Sequence, residues 1–228
     1  MVVIKDKREM SKTIFIALSA IFVASLVTCN LIVNKFVTIN LGFKVFEISA
    51  GILPYPLTFL VTDILSEIYG KRKTSQVVFS GFIASLFVIC FLKLGAYFPA
   101  IESSPLNNSE YDKVFGNSWR VIGSSMIAYL AAQFLDVKLF HFWKTLTKGK
   151  HLWLRNNAST IASQLTDTIL VTTILFIGVK SNSDIFSLII DGWLFKMLCA
   201  FIDTPIFYIT SAYFRKLFNL KLGEELTD

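Results

Sequence analysis

The stretch Ser75-Gln-Val-Val-Phe-Ser-Gly-Phe-Ile-Ala-Ser-Leu-Phe-Val-Ile-Cys-Phe-Leu-Lys-Leu-Gly-Ala-Tyr97 holds one charged residue, Lys93, in 23 positions. Its apolar residues fall on every side of a helix and show no strict alternation, so neither a half-buried helix nor a half-buried strand accounts for it. As a helix rising ~1.5 Å per residue it extends roughly 35 Å. That is enough to cross a hydrocarbon core about 30 Å thick.

Five more blocks of this kind lie on either side: Ile14 to Val33, Phe46 to Tyr69, Val121 to Phe142, Ala158 to Val179 and Ile185 to Tyr213. Hydrophobic residues make up 54% of the 228, mean hydropathy is +0.61, and little remains for a soluble domain. Open backbone cannot face lipid, so each block is expected to be a helix. The expected fold class is all-α: one domain over residues 1–228, a polytopic bundle of six transmembrane helices in membrane lipid. Lys5, Lys7, Arg8 and Lys12 before the first block imitate a signal peptide. The block is too long for one and lacks a small-residue cleavage site, so it reads as the first span.

The net charge of +6 is distributed by loop, which a membrane explains better than a nucleic-acid partner does. Four segments are rich in Lys and Arg: Lys5 to Lys12, Lys71 to Lys73, Lys138 to Arg155, and Arg215 to Lys221. The alternate loops hold only Lys35, Lys44, Lys113, Arg120 and Lys180. Both termini are therefore expected in the cytoplasm and the chain in the inner membrane. Pro99 to Ser118 is then the one long external loop, a connector or a gate. Cys29, Cys90 and Cys199 lie unpaired in apolar blocks, and His141 and His151 share one basic loop. Neither a disulfide framework nor a metal site is expected, nor any cofactor.

Ionisable groups at membrane depth cost several kcal/mol unless paired or hydrated, so each is a candidate functional residue. The second block carries Asp63 and Glu67, the fourth Gln133 and Asp136, the fifth Gln164 and Asp167, the sixth Lys196 and Asp203. Spacings of three, four and seven put each pair on one helix face. Asp167 lies twelve residues after Arg155 and Asp203 twelve before Arg215, about 18 Å from the cytoplasmic charges and near the midplane. Glu67 is only four residues from Lys71, which predicts an interfacial ion pair with Lys71 to Lys73. Leu130-Ala-Ala-Gln133-Phe-Leu-Asp136 resembles Ile161-Ala-Ser-Gln164-Leu-Thr-Asp167. In antiparallel helices this repeat predicts two crossed amide–carboxylate pairs, Gln133 with Asp167 and Asp136 with Gln164. Such groups can serve as interhelical glue or as a solute site. Pro54-Tyr55-Pro56 and Thr204-Pro205 are expected to interrupt the second and sixth helices near the acids, as in transporters with discontinuous helices. Lys196 reads as the counter-ion of Asp203 or Asp167, or as a solute contact.

The segment Pro54-Tyr55-Pro56-Leu-Thr-Phe-Leu-Val-Thr62-Asp63-Ile-Leu-Ser-Glu67-Ile-Tyr69-Gly70 resembles the queuosine-precursor transporters of the vitamin-uptake transporter family. So, in the family's order, do Asn30, Gln133-x-x-Asp136-Val137, Asn157-Ala-Ser159-Thr160 leading to Asp167-Thr168, and Phe195-Lys196. The resemblance implies six helices and import of a 7-deazaguanine: the 7-cyano or 7-aminomethyl form, or queuine. Gln164 stands where some members have Asn, so substrate preference does not carry over. The candidate substrate-binding residues are Asn30, Tyr55, Asp63, Gln133, Gln164, Asp167 and Asp203, with Glu67, Asp136 and Lys196 as coupling or structural ion pairs. A guanine-type edge suits this set, because a carboxylate accepts its paired N–H donors and an amide serves its O6 and N7. Tyr55 or Phe59 would stack on the flat ring.

Three classes compete. A secondary transporter is favoured over a substrate-binding subunit of an ATP-driven uptake system, for which the chain has no phosphate loop of its own. Another nucleobase-like solute and a homo-oligomer stay open. An intramembrane enzyme would need a nucleophile with a base, or a metal cluster, and the polar stripes supply neither.

Overall fold

The computed structural model describes residues 2–32, 35–42, 45–116 and 119–226. Val33, Lys44 and Ser118, which bound or occupy expected elements, lie outside the described residues. In chain order come α1 (Val2–Leu31), the strands β1 (Phe36–Asn40) and β2 (Val45–Ser49), a 3-10 turn (Ala50–Ile52), α2 (Tyr55–Ile68), α3 (Gly70–Tyr97), the short α4 (Asn108–Phe115), α5 (Trp119–Leu146), α6 (Leu152–Phe176) and α7 (Asn182–Phe218).

Among the described residues, five segments are long and apolar enough to span a membrane: Lys7–Leu31, Ala50–Ile68, Gly70–Tyr97, Leu152–Phe176 and Asn182–Phe218. The protein is a multi-pass membrane protein. Its polarity is inverted relative to a water-soluble bundle. Phe79, Ile83, Phe87 and Phe91 of α3 and Ile202, Ile206 and Ile209 of α7 are exposed, whereas Thr58, Thr62, Ser124, Gln133, Asp136, Arg155, Ser159 and Ser163 are buried. Lipid as the outer solvent favours this arrangement, because a polar side chain finds hydrogen-bond partners only inside. α5, 28 residues long, carries Gln133, Asp136, Lys138 and Lys144 among its apolar residues and is not one of the five.

α2 is the axis of the bundle: every residue from Thr58 to Ile68 is buried. α5 and α6 form the most extensive helix pair, with Ala128, Ala132, Ser159 and Ser163 fully buried. Small side chains let the two backbones approach closely.

The second expected helix, Phe46 to Tyr69, needs correction. Its first four residues are the end of β2, which pairs antiparallel with β1 from Phe36↔Ser49 to Asn40↔Val45. Val45 is exposed while Phe46 and Ile48 are buried against Val37, Ile39 and Phe195. That period-2 burial suits a strand, and Gly42, at φ +83°, supplies the turn.

The prolines also act differently from expectation. Pro54 caps α2 and Pro56 lies in its first turn, where a missing N–H removes no helical bond. The pair starts the helix rather than interrupting it. α7 runs unbroken from Asn182 to Phe218 with Pro205 inside. One residue before it, the Thr204 hydroxyl donates to the Ala200 carbonyl at 2.9 Å and accepts from Asn157 Nδ2 on α6 at 2.8 Å.

The four basic segments converge at one end of the bundle. Tyr69 Oη donates to the Ser11 carbonyl at 2.9 Å, and the Leu226 N–H donates to the Ile68 carbonyl at 2.8 Å. Gly149, after α5, meets Gly223 in the C-terminal tail; both have positive φ, and a Cβ on Gly149 would lie 2.9 Å from the Gly223 Cα. Only glycine allows both that conformation and that approach.

Candidate functional site

Three helices meet where α2 begins. Tyr55 projects from the first turn of α2, Asp167 from the middle of α6 and Lys196 from α7. Tyr55 Oη donates to Asp167 Oδ1 at 2.9 Å. Lys196 Nζ donates to Asp167 Oδ2 at 2.5 Å and to Thr168 Oγ1 at 3.2 Å, and lies 5.0 Å from the Tyr55 ring centroid. Each carboxylate oxygen thus has its own donor, and the ammonium rests over an aromatic face. Asp167 and Lys196 are 5% and 8% exposed, so this is a desolvated pair bordering on empty space rather than a surface contact.

Two cavities share this cluster. The larger, about 210 Å³, reaches toward the β-hairpin end and is lined by Asn30, Ser49, Tyr55, Tyr129, Asp167 and Lys196 among others. It is smaller than the roughly 300–1,000 Å³ of pockets for drug-sized ligands, which suits it to a small heterocycle. The second, about 20 Å³, lies one helical turn toward the basic end, between Phe59, Thr160, Gln164 and Asp203. Tyr55 and Lys196 line both, so the Tyr55–Asp167–Lys196 cluster forms the wall between them. Tyr55 and Phe59 pack edge to face with centroids 5.5 Å apart.

Of the residues singled out from sequence, Asn30, Tyr55 and Asp167 line the larger cavity, Gln164 and Asp203 the smaller, and Lys196 both. Asn30 Nδ2 also donates to the Leu26 carbonyl at 3.3 Å. Gln133 and Asp63 line neither cavity. Gln133 is fully buried with Nε2 3.4 Å from Thr58 Oγ1, and Asp63 lies deeper along α2, against Asp136.

The crossed amide–carboxylate pairs do not form. Asp167 faces α7 and α2 instead of Gln133, and Asp136 accepts from Ser163 Oγ at 3.0 Å instead of from Gln164. Spacing along a helix fixes relative depth; rotation about the axis turned Asp167 away from α5.

Glu67 also departs from expectation. It is 0% exposed and bound by Arg155, with Nη1 3.0 Å from Oε2 and Nη2 3.1 Å from Oε1. Lys144 Nζ lies 3.7 Å from Glu67 Oε2 and bonds Glu225 at 2.9 Å. The Lys71 to Lys73 cluster is not its partner, because α2 ends at Ile68 and α3 turns those side chains away. Arg155, read from sequence as a loop charge, is the residue that was missed. The signal was Arg155, Ser159 and Ser163 at four-residue spacing, one helix face that is wholly buried. Cys29 and Tyr129, treated as packing residues or passed over, line the larger cavity.

The family described as "Putative vitamin uptake transporter" matches residues 49–210, a span that takes in α2, α5, α6 and both cavities' principal residues. The chain belongs to this vitamin uptake transporter family. Among similar proteins of the family, the "Probable queuosine precursor transporter" of Bacillus subtilis (strain 168) is 30% identical over 69% of this chain and 69% of its own length. The "Queuosine precursor transporter" of Escherichia coli (strain K12) is 24% identical over 63% of this chain and 62% of its own. A "Probable queuosine precursor transporter" of Haemophilus influenzae is 27% identical over 58% and 53%. No solved structure matches the chain. Membership makes this vitamin uptake transporter family protein a carrier of a small molecule and not an enzyme.

Proposed function

We propose that this protein imports queuosine precursors, namely 7-cyano- or 7-aminomethyl-7-deazaguanine or queuine, across the cell inner membrane for salvage into tRNA. It does so as one domain of six spans, with α5 the sixth and both termini cytoplasmic. The names of the three relatives support the solute class, and the gathering of the basic segments at one end supports the orientation.

The observation that carries the reading is Asp167, a carboxylate held at the wall between two cavities by two donors that a ligand can replace. A guanine-type edge presents two parallel N–H groups, and a carboxylate accepts both as a charge-assisted pair. Binding substitutes those donors for Tyr55 Oη and Lys196 Nζ, leaving the Tyr55 ring to stack on the bicycle. Releasing Lys196 and Tyr55 from Asp167 opens the wall, so one event both recognises the solute and connects the cavities. Gln164 and Asp203 then meet it on the cytoplasmic side; Asp203 suits the cationic aminomethyl group.

The test is complementation. The chain is expressed in a strain unable to make or import the precursors, and each of the three compounds is supplied while tRNA is assayed for queuosine. Queuosine from at least one compound is expected, in a host with no ATP-driven uptake module of this kind. Its absence with all three would overturn the solute assignment, and dependence on an added ATPase would reassign the chain as a substrate-binding subunit.

A further inference from the structure

Two helical turns from the proposed solute site, Asp63 of α2 and Asp136 of α5 face one another in a fully buried centre, 1% and 0% exposed. Their carboxyl groups lie within hydrogen-bonding reach of each other. Two carboxylates have only acceptors between them, so a hydrogen bond across the pair requires a proton on one. The remaining contacts leave room for it: Asp136 Oδ1 accepts from Ser163, while Asp136 Oδ2 and Asp63 Oδ1 are buried with no donor.

Among the described residues no cation pairs with either carboxyl. From α6, Arg155 acts on Asp63 only at longer range, and its two terminal nitrogens are engaged by Glu67 of α2. From α5, Lys144 is further out and bonds Glu225 of the tail, with His141 beside the same carboxylate at 3.7 Å. From α7, Arg215 and Tyr208 face Arg155. The other groups around Asp136 are the hydroxyls of Ser159, Thr160 and Ser163 on α6. Two like charges this close in a dry site repel strongly, so the doubly charged state is a high-energy one that a proton relieves.

We propose that the Asp63–Asp136 pair is a proton-binding site that couples solute uptake to the inward proton gradient, one proton per pair. The coupling has a physical route. Thr160 lies beside Asp136 and also lines the smaller cavity. Ser163, which donates to Asp136, is one turn from Asp167 on α6, and Asp63 shares α2 with Tyr55. Protonation removes the repulsion between α2 and α5 and frees the Ser163 donor to shift. The helices that hold Tyr55 and Asp167 are the same ones that sense the proton.

This rests on the importer reading, so the test separates the two. Purified protein in proteoliposomes is assayed for counterflow of labelled 7-deazaguanine precursor and for accumulation driven by an acidic exterior, with lumenal pyranine reporting proton entry. The wild type is expected to accumulate solute at least tenfold better with the gradient than without it and to acidify the lumen as it does so. Asp136→Asn and Asp63→Asn are expected to keep counterflow within about twofold while losing gradient-driven accumulation. Wild-type accumulation that ignores the pH gradient, or that a sodium gradient drives instead, overturns the proton site. Independently of any solute, infrared spectroscopy at neutral pH should show a protonated carboxyl band in the wild type that disappears in each variant. No such band overturns the site even where no precursor is transported, an outcome that by itself refutes the importer reading.

Discussion

Replacing Glu67 with Leu should be the most destabilising single change in the bundle centre. Glu67 and Arg155 are each 0% exposed and joined by two contacts of 3.0 and 3.1 Å. Removing one member of a buried, hydrogen-bonded pair strands the other's charge and costs about 3–5 kcal/mol. After Glu67→Leu, Arg155 keeps its place over the Phe140 ring and the longer-range field of Asp63 but no hydrogen-bonded counter-charge, so the upper part of that range applies. Arg155→Met should cost less, about 3 kcal/mol, because Lys144 at 3.7 Å still faces the stranded carboxylate. Replacing both with apolar residues of similar size removes the desolvation along with the attraction, and such swaps are often neutral. The double variant should therefore lie within about 1 kcal/mol of wild type. For a chain of this length about 2–4 °C of melting midpoint corresponds to 1 kcal/mol. Thermal unfolding of detergent-purified protein, followed by size-exclusion fluorescence, should then fall by roughly 10 °C or more for Glu67→Leu. A Glu67→Leu midpoint equal to wild type, or a double variant whose loss equals the sum of the singles, would refute the argument.

Other outcomes concern the cavities and the tail. Asp167→Asn should abolish precursor uptake at normal membrane abundance, read as tRNA queuosine, because an amide cannot accept two N–H donors on both atoms; full activity would return Asp167 to a purely structural role. Asp203→Asn should lower uptake of the cationic aminomethyl precursor more than of the cyano form in competition assays. Tyr55→Phe keeps the ring and loses one hydrogen bond to a charged acceptor, about 1.5–3 kcal/mol, and should change apparent affinity far less than Tyr55→Ala does. Gly149→Ala meets both a positive φ of +76° and the Gly223 backbone; it should cost about 1–2 kcal/mol and make the C-terminal tail more susceptible to limited proteolysis.

How much was legible in advance depended on the length scale of the signal. The apolar blocks around α1, α3, α6 and α7 are set by composition over about 20 residues, and each falls on a helix that begins before it, most of all α1, which begins at Val2 rather than Ile14. The start of the second block was misread because Val45 to Ser49 is as apolar as a helix turn, and only its pairing with Phe36–Asn40 makes it a strand. The candidate polar residues were visible because burying them is costly, so their presence in apolar blocks stood out. Their partners were visible only in part: Lys196 was expected on Asp203 or Asp167 and is found on Asp167, whereas Arg155, 88 residues from Glu67 in sequence, was not foreseen as its partner.

The sequence by itself therefore determined that the chain crosses the membrane several times and that its acids, amides and Lys196 face inward, because hydration and lipid solvation act on each residue separately. It also determined the depth of each group, since helical rise is constant. The tertiary structure alone decided which way each helix is turned. Rotation about a helix axis is set by packing against several neighbours at once, and that rotation gave Asp167 to Tyr55 and Lys196, Glu67 to Arg155, and Asp63 to Asp136.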